Sequence, residues 1–174
     1  MIGGFFGALI HDKQTFAYLR MPETFDFLEP IERIFLEDFL PVTEVLTSDF
    51  AEEPKVFADP SKWVIKASDL YAGKGIFIGK DFLSRPKDWE KAVQGVLKAD
   101  DIYICQEFIE PYESLSLPLE YKASDLQKEP SLYKNITGIY MSNGQFGGLY
   151  SRLGSAYNIG NYTGGYCTAS FFVK

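Results

Sequence analysis

Apolar residues recur at helical spacing over roughly the first sixty positions of this chain, and from Trp63 onward they come in short runs bounded by glycine and proline. Asp12 to Leu19 fits a helix that Met21-Pro22 stops, because proline disfavours helical geometry in the residue before it. Glu29 to Leu40 fits a second, with Ile31, Ile34, Phe35 and Phe39 on one face, Pro30 in its first turn and Pro41 ending it. Ser48 to Ser61, with Glu52, Glu53, Pro54, Asp59 and Pro60, reads as a connecting loop. Trp63 to Lys66 and Gly75 to Ile78 then form an antiparallel pair, and a helix opens at Pro86 and runs through Trp89, Val93, Val96 and Leu97. Tyr103 to Ile109 reads as a buried strand ending at Pro111. Tyr112 to Tyr133 has no clean period and is expected to be irregular. Ile136 to Met141, Gly147 to Leu153 and Tyr166 to Val173 are strands, joined by Ser142-Asn143-Gly144 and by a glycine- and tyrosine-rich turn from Asn158 to Gly165. The expected class is α+β, with antiparallel sheets and packed helices.

Composition narrows the function classes. With 174 residues, 46% of them hydrophobic and 24% charged, the chain can bury a core and reads as one globular domain of at most two subdomains. A net charge of -7 argues against a nucleic-acid binder, which needs clustered Lys and Arg, but allows a local basic pocket. Cys105 and Cys167 lack metal-ligand spacing and read as two free buried thiols in a cytoplasmic protein. The apolar opening Met1 to Ile10 has no basic leader or cleavage site and is too short to span a membrane. His11 is the only histidine, and nothing places a serine or cysteine nucleophile beside it.

The most informative stretch is Lys66 to Ile76. Lys66 closes one strand and Lys74 sits between Gly73 and Gly75 at the start of the next, so two cations and a bare backbone loop converge as a polyphosphate site requires. Taken singly, Lys66 also fits a snorkelling strand-edge lysine and Gly73-Lys74-Gly75 an ordinary hairpin tip. Gln106, Glu107, Phe108 and Ile109 form a strand whose backbone groups could meet the edge of a base, or a core strand with one polar face. Arg152 follows Gly148 and Tyr150 on one strand face and suits bidentate phosphate or carboxylate contacts, or a structural ion pair.

Read in order, Asp12-Lys13, Phe39-Leu40-Pro41-Val42-Thr43, Trp63-Val64-Ile65-Lys66, Gly73-Lys74-Gly75, Gln106 to Pro111 and Gly148 to Arg152 resemble the circularly permuted ATP-grasp ligases, the group that includes glutathionylspermidine synthase. The resemblance implies one partial ATP-grasp domain over 1–174: a helical part at 1–60, a nucleotide-binding lobe at 61–111 and a C-terminal sheet at 112–174. It implies the ATP-binding part of a carboxylate-amine or carboxylate-thiol ligase that works through an acyl phosphate. Lys66 and Lys74 would neutralise phosphates, the Gly73 to Gly75 loop would cover them, Gln106 to Ile109 would read adenine, and Arg152 would act catalytically on the transferring phosphoryl group. ATP, magnesium and a small carboxylate or peptide substrate are the implied ligands, with neither nucleic acid nor membrane as a partner.

The chain departs from the family pattern in its metal ligands. Asp12, Asn158 and Asn161 do not match the acidic pair that would bridge metal and phosphates, and a hard cation takes several oxygen ligands. The expected protein is therefore a fragment of a larger ligase or a remnant that keeps the nucleotide lobe without catalysis, with a missing lobe or a homodimer covering its open edges. A different class stays open. With 15 Phe and 11 Tyr, and late tyrosines at Tyr133, Tyr140, Tyr150, Tyr157, Tyr162 and Tyr166, the chain also fits a non-catalytic module for carbohydrate or peptide.

Overall fold

The computed structural model describes residues 7–49, 54–117 and 129–170. The chain divides into two units, Met1–Ile109 and Glu110–Lys174. The class is mixed α+β with two antiparallel sheets.

The first unit opens with short helices α1 (Gly7–His11), α2 (Gln14–Tyr18) and α3 (Pro22–Phe25), then α4 (Pro30–Phe39). Glu29 and Glu32 close a capping box over the start of α4, and Pro30 occupies its first turn. Strand β1 (Thr43–Val45), inside the stretch expected to be helical, pairs antiparallel with β4 (Tyr103–Glu107), matching Thr43 to Gln106. The expected loop carries helix α5 (Pro54–Ala58) and a 3-10 turn, Pro60–Lys62; residues 50–53 lie outside those described. β2 (Trp63–Ala67) pairs with β3 (Ile76–Ile78) and with β4, giving the order β1-β4-β2-β3. Helix α6 (Pro86–Val96) covers one face of this sheet. Ile65 and Cys105 pack there with Trp89, Val93, Val96, Leu46 and Val56, and the Trp89 indole N–H donates to the Val56 carbonyl at 3.0 Å. Because side chains alternate along a strand, Val64, Lys66, Ile104 and Gln106 point to the other face.

The apolar face expected on α4 forms, but Ile31, Ile34, Phe35 and Phe39 are exposed. Ile31 and Phe35, with Leu19, Leu28, Glu32 and Leu36, line an apolar groove of about 410 Å³. No helix among the described residues is long and apolar enough to cross a membrane.

The second unit is one antiparallel sheet, β5 (Glu113–Ser116), β6 (Ser131–Ser142), β7 (Gln145–Gly154) and β8 (Tyr166–Thr168), in sequential order. β5 falls within the stretch expected to be irregular, of which residues 118–128 lie outside those described. The strand expected to reach Val173 is described only to Thr168, and 171–174 lie outside the described residues. Asn143 and Gly144 take φ values of 52° and 71°, the left-handed pair that a two-residue hairpin needs between β6 and β7.

Candidate functional site

Lys66 lies in β2 between Ile76 of β3 and Ile104 of β4, on the sheet face away from α6. Its ammonium donates to Gln106 Oε1 at 2.5 Å. The Gln106 amide nitrogen donates in turn to Thr43 Oγ1 at 2.8 Å, and that hydroxyl donates to the Pro41 carbonyl at 2.9 Å. This relay fixes the amide, oxygen toward the cation and nitrogen toward the hydroxyl, so the buried Gln106 side chain is satisfied at both ends.

A second lysine stands beside it. Lys13, just before α2, donates its backbone N–H to the Ser68 carbonyl at 2.9 Å and its ammonium to the Ser68 and Leu70 carbonyls at 3.1 and 2.7 Å. Asp12 Oδ1 caps the Gln14 N–H at 2.8 Å, and His11 Nε2 lies 3.3 Å from the Asp69 carbonyl. The Ser68 hydroxyl donates to Asp12 Oδ2 at 3.5 Å, so His11, Asp12 and Lys13 all meet the chain where it leaves β2. Burial holds the Lys66 pKa below the ordinary lysine value, and the charge of Lys13 lowers it further. Among the described residues neither ammonium is in an ion pair. An ammonium carries three donors, and Lys66 gives one to the protein while Lys13 gives two, so both keep capacity for an anion.

The glycine loop is a tight turn. Ala72 and Gly73 have φ of 56° and 77°, and the Lys74 N–H donates to the Tyr71 carbonyl at 3.1 Å. Gly75, with φ 65°, is required by contact as well as by backbone, since a Cβ there would lie 2.7 Å from Ala67 Cβ. The Lys74 side chain is exposed, its ammonium 5.4 Å from the centre of the Tyr71 ring, whereas the charged neighbour that Lys66 feels is Lys13. The Lys74 N–H is committed to the turn rather than turned out as part of a phosphate nest.

The strand expected to read a base is central in its sheet. The Glu107 N–H donates to the Val42 carbonyl at 2.8 Å and the Phe108 N–H to the Lys62 carbonyl at 2.7 Å, so both donors are spent between flanking segments. The Phe108 ring receives the Lys80 ammonium at 4.7 Å, and Ile109 is exposed.

Arg152 belongs to the second unit. It lies on β7 opposite Ile136 and Cys167, donates from Nε to Tyr150 Oη at 3.2 Å and stacks on that ring at 4.9 Å. The hydrogen bond to Tyr150 raises its pKa above the usual arginine value. Tyr150 Oη is 2.8 Å from Cys167 Sγ, and Cys167 is exposed, which corrects the expectation of two buried thiols: β8 is an outer strand that nothing described covers. Cys105 is buried as expected, and burial followed by the charge of Glu44 pushes its pKa up to about 12.

Sequence reasoning named Lys66 and Gln106 but not Lys13, Thr43 or Ser68 as site residues. Lys13 reaches Ser68 across 55 positions, a contact that no local pattern announces. Among the described residues no three His, Cys, Asp or Glu side chains gather at one point. Comparisons with protein-family models, with curated proteins and with solved structures each found no match.

Proposed function

We propose that the first unit binds a phosphate-bearing ligand at Lys66 and Lys13, with ATP the ligand best suited to it. The observation that carries this reading is the lysine pair: two ammonium groups near enough to lower the Lys66 pKa, with no carboxylate partner among the described residues. Structural lysines are ordinarily solvated or paired, and a cation held in a partly desolvated site beside another cation gains most from an anion between them. A polyphosphate would bring several acceptor oxygens to the donors that remain.

Within that reading the chain is the ATP-binding part of an ATP-grasp carboxylate-amine or carboxylate-thiol ligase. In such a reaction a carboxylate oxygen takes the terminal phosphoryl group of ATP and releases ADP. An amine then attacks the acyl carbon, loses a proton and expels phosphate. The contribution of Lys66 and Lys13 to the first step is charge neutralisation and positioning, the terms that dominate phosphoryl transfer. No step is assigned to a metal held by this chain.

Thermal unfolding with ATP, ADP or inorganic phosphate, each with and without magnesium, tests the proposal. ATP is expected to raise the melting temperature of the wild type, and Lys66→Ala, or Lys13→Met, to remove the rise, while Lys74→Ala leaves it in place. No stabilisation by ATP or ADP at millimolar concentration would overturn it. The exposed Tyr140 and Tyr162 favour a second reading, a carbohydrate- or peptide-binding face on the second unit, which predicts ligand-induced protection of those tyrosines and no response to ATP.

A further inference from the structure

The β6–β7 hairpin runs well past its neighbours. β5 pairs only with Ser131 to Lys134, and β8 only with Ser151 to Leu153, so among the described residues the outer edge of β6 has no strand beside it from Ile136 onward, and the part from Gly138 to Tyr150 is a two-stranded ribbon. Its apolar side chains point both ways. Tyr140 lies on one face and Ile139 on the other, 60% and 65% exposed, and the cross-strand pair Met141 and Phe146 is 59% and 53% exposed. A two-stranded ribbon of this kind is marginal in water, and an open apolar edge is a template for another strand.

A register shift between Tyr140 and Met141 interrupts the ribbon near its tip, but the charged residues and proline that keep an edge solitary are missing from it. From Asn135 to Tyr150 there is no Asp, Glu, Lys, Arg, His or Pro, in a chain that is 24% charged and carries a net charge of -7. That distribution selects the occupant. A basic or acidic partner would find no charge to pair with, whereas a second copy meets an equally uncharged edge with no like charges opposed across the contact.

We infer that the outer edge of β6 is a homodimer interface in which two copies pair antiparallel about a twofold axis at Gly138. This register sets Ile136 opposite the partner's Tyr140, and the partner's Ile136 opposite Tyr140, two apolar-aromatic pairs on one face of a sheet continuous through both copies. Gly138 pairs with its own equivalent. A Cβ at Gly138 has only the Tyr150 carbonyl oxygen within contact, at 3.6 Å, so a side chain fits there.

The test is the mass of the full chain in solution, by light scattering or sedimentation. The wild type is expected to be a dimer, and Ile136→Lys with Tyr140→Lys a monomer of unchanged circular dichroism, since both positions are exposed in the single chain. Gly138→Cys, in a Cys167→Ser background, is expected to form an intermolecular disulfide on mild oxidation, which reports the register apart from the effect of the charges. A wild type that is monomeric at the highest soluble concentration would overturn the inference. So would a charge variant that folds and stays dimeric, open-ended oligomers in place of a closed dimer, or a Gly138→Cys protein that dimerises without cross-linking.

Discussion

Lys66→Met separates what the lysine costs from what it does. In the folded protein the Lys66 pKa lies below its ordinary 10.5, first through burial and then through the charge of Lys13. The unfolded chain therefore binds this proton more tightly. Below the lowered pKa the cost is fully present; as pH rises through that value toward 10.5 the cost is relieved, and wild-type stability increases. Each pK unit of depression corresponds to about 1.4 kcal/mol. Against that stands the hydrogen bond to Gln106, whose loss leaves a buried amide oxygen unpaired at about 1–3 kcal/mol. At neutral pH the two effects oppose each other, and the variant is expected within about 2 kcal/mol of wild type, in contrast to the loss expected for breaking a favourable buried pair. The pH dependence removes the ambiguity. Urea unfolding from neutral pH up to 10.5 should show the wild type gaining on Lys66→Met by the full depression, while other lysines and the tyrosines titrate in both proteins and cancel in the difference. Phosphate should reduce this slope in the wild type by holding Lys66 protonated, and at about ten times its Kd should add about 1.4 kcal/mol that the variant lacks. Parallel pH profiles for the two proteins, or equal responses to phosphate, would refute the reasoning.

Two further outcomes follow from the same structure. Ala72 adopts a left-handed φ of 56°, which costs a residue with a Cβ about 1–2 kcal/mol, so Ala72→Gly should stabilise the protein by about 0.5–1 kcal/mol in urea unfolding after the entropy of the glycine is subtracted; a loss of stability would contradict the turn geometry. A thiol reagent should label the native chain once, at Cys167, and reach Cys105 only on unfolding, because Cys105 is buried with a pKa near 12; labelling of native Cys167→Ser would count against the core packing.

Much of the fold was legible because local rules and tertiary packing agree. Pro30 and Pro86 start helices where proline suits the first turn, and Asn143-Gly144 makes the turn that its φ preferences favour. The misses were short elements, among them helix α5 in the expected loop and two strands. Thr43–Val45 and Glu113–Ser116 have three and four residues, too few to display a period, and each exists because a longer strand, β4 or β6, offers it an edge. The apolar stripe of α4 was read correctly as a pattern, yet a pattern does not say what covers it, and Ile31, Phe35 and Phe39 remain exposed.

Candidate site residues stood out singly in the sequence, but the hydrogen-bonded circuit that links them did not. Lys66 and Gln106 both stood out, one for phosphates and the other for a base, yet their first partners are each other, because two neighbouring antiparallel strands put them on one face. The consequence is chemical. On the proposed reading an incoming phosphate would compete at Lys66 with a neutral amide oxygen, not with a carboxylate, and would gain a charge-assisted bond while Gln106 reorients or finds water. Lys13 works differently, since two of its protons tie down the Ser68 and Leu70 carbonyls and hold the approach to the glycine turn. One lysine thus bonds a neutral amide while the other anchors the loop that follows β2. Their mutual repulsion lowers the stability of the unliganded protein, and an anion bound between them would convert that cost into affinity.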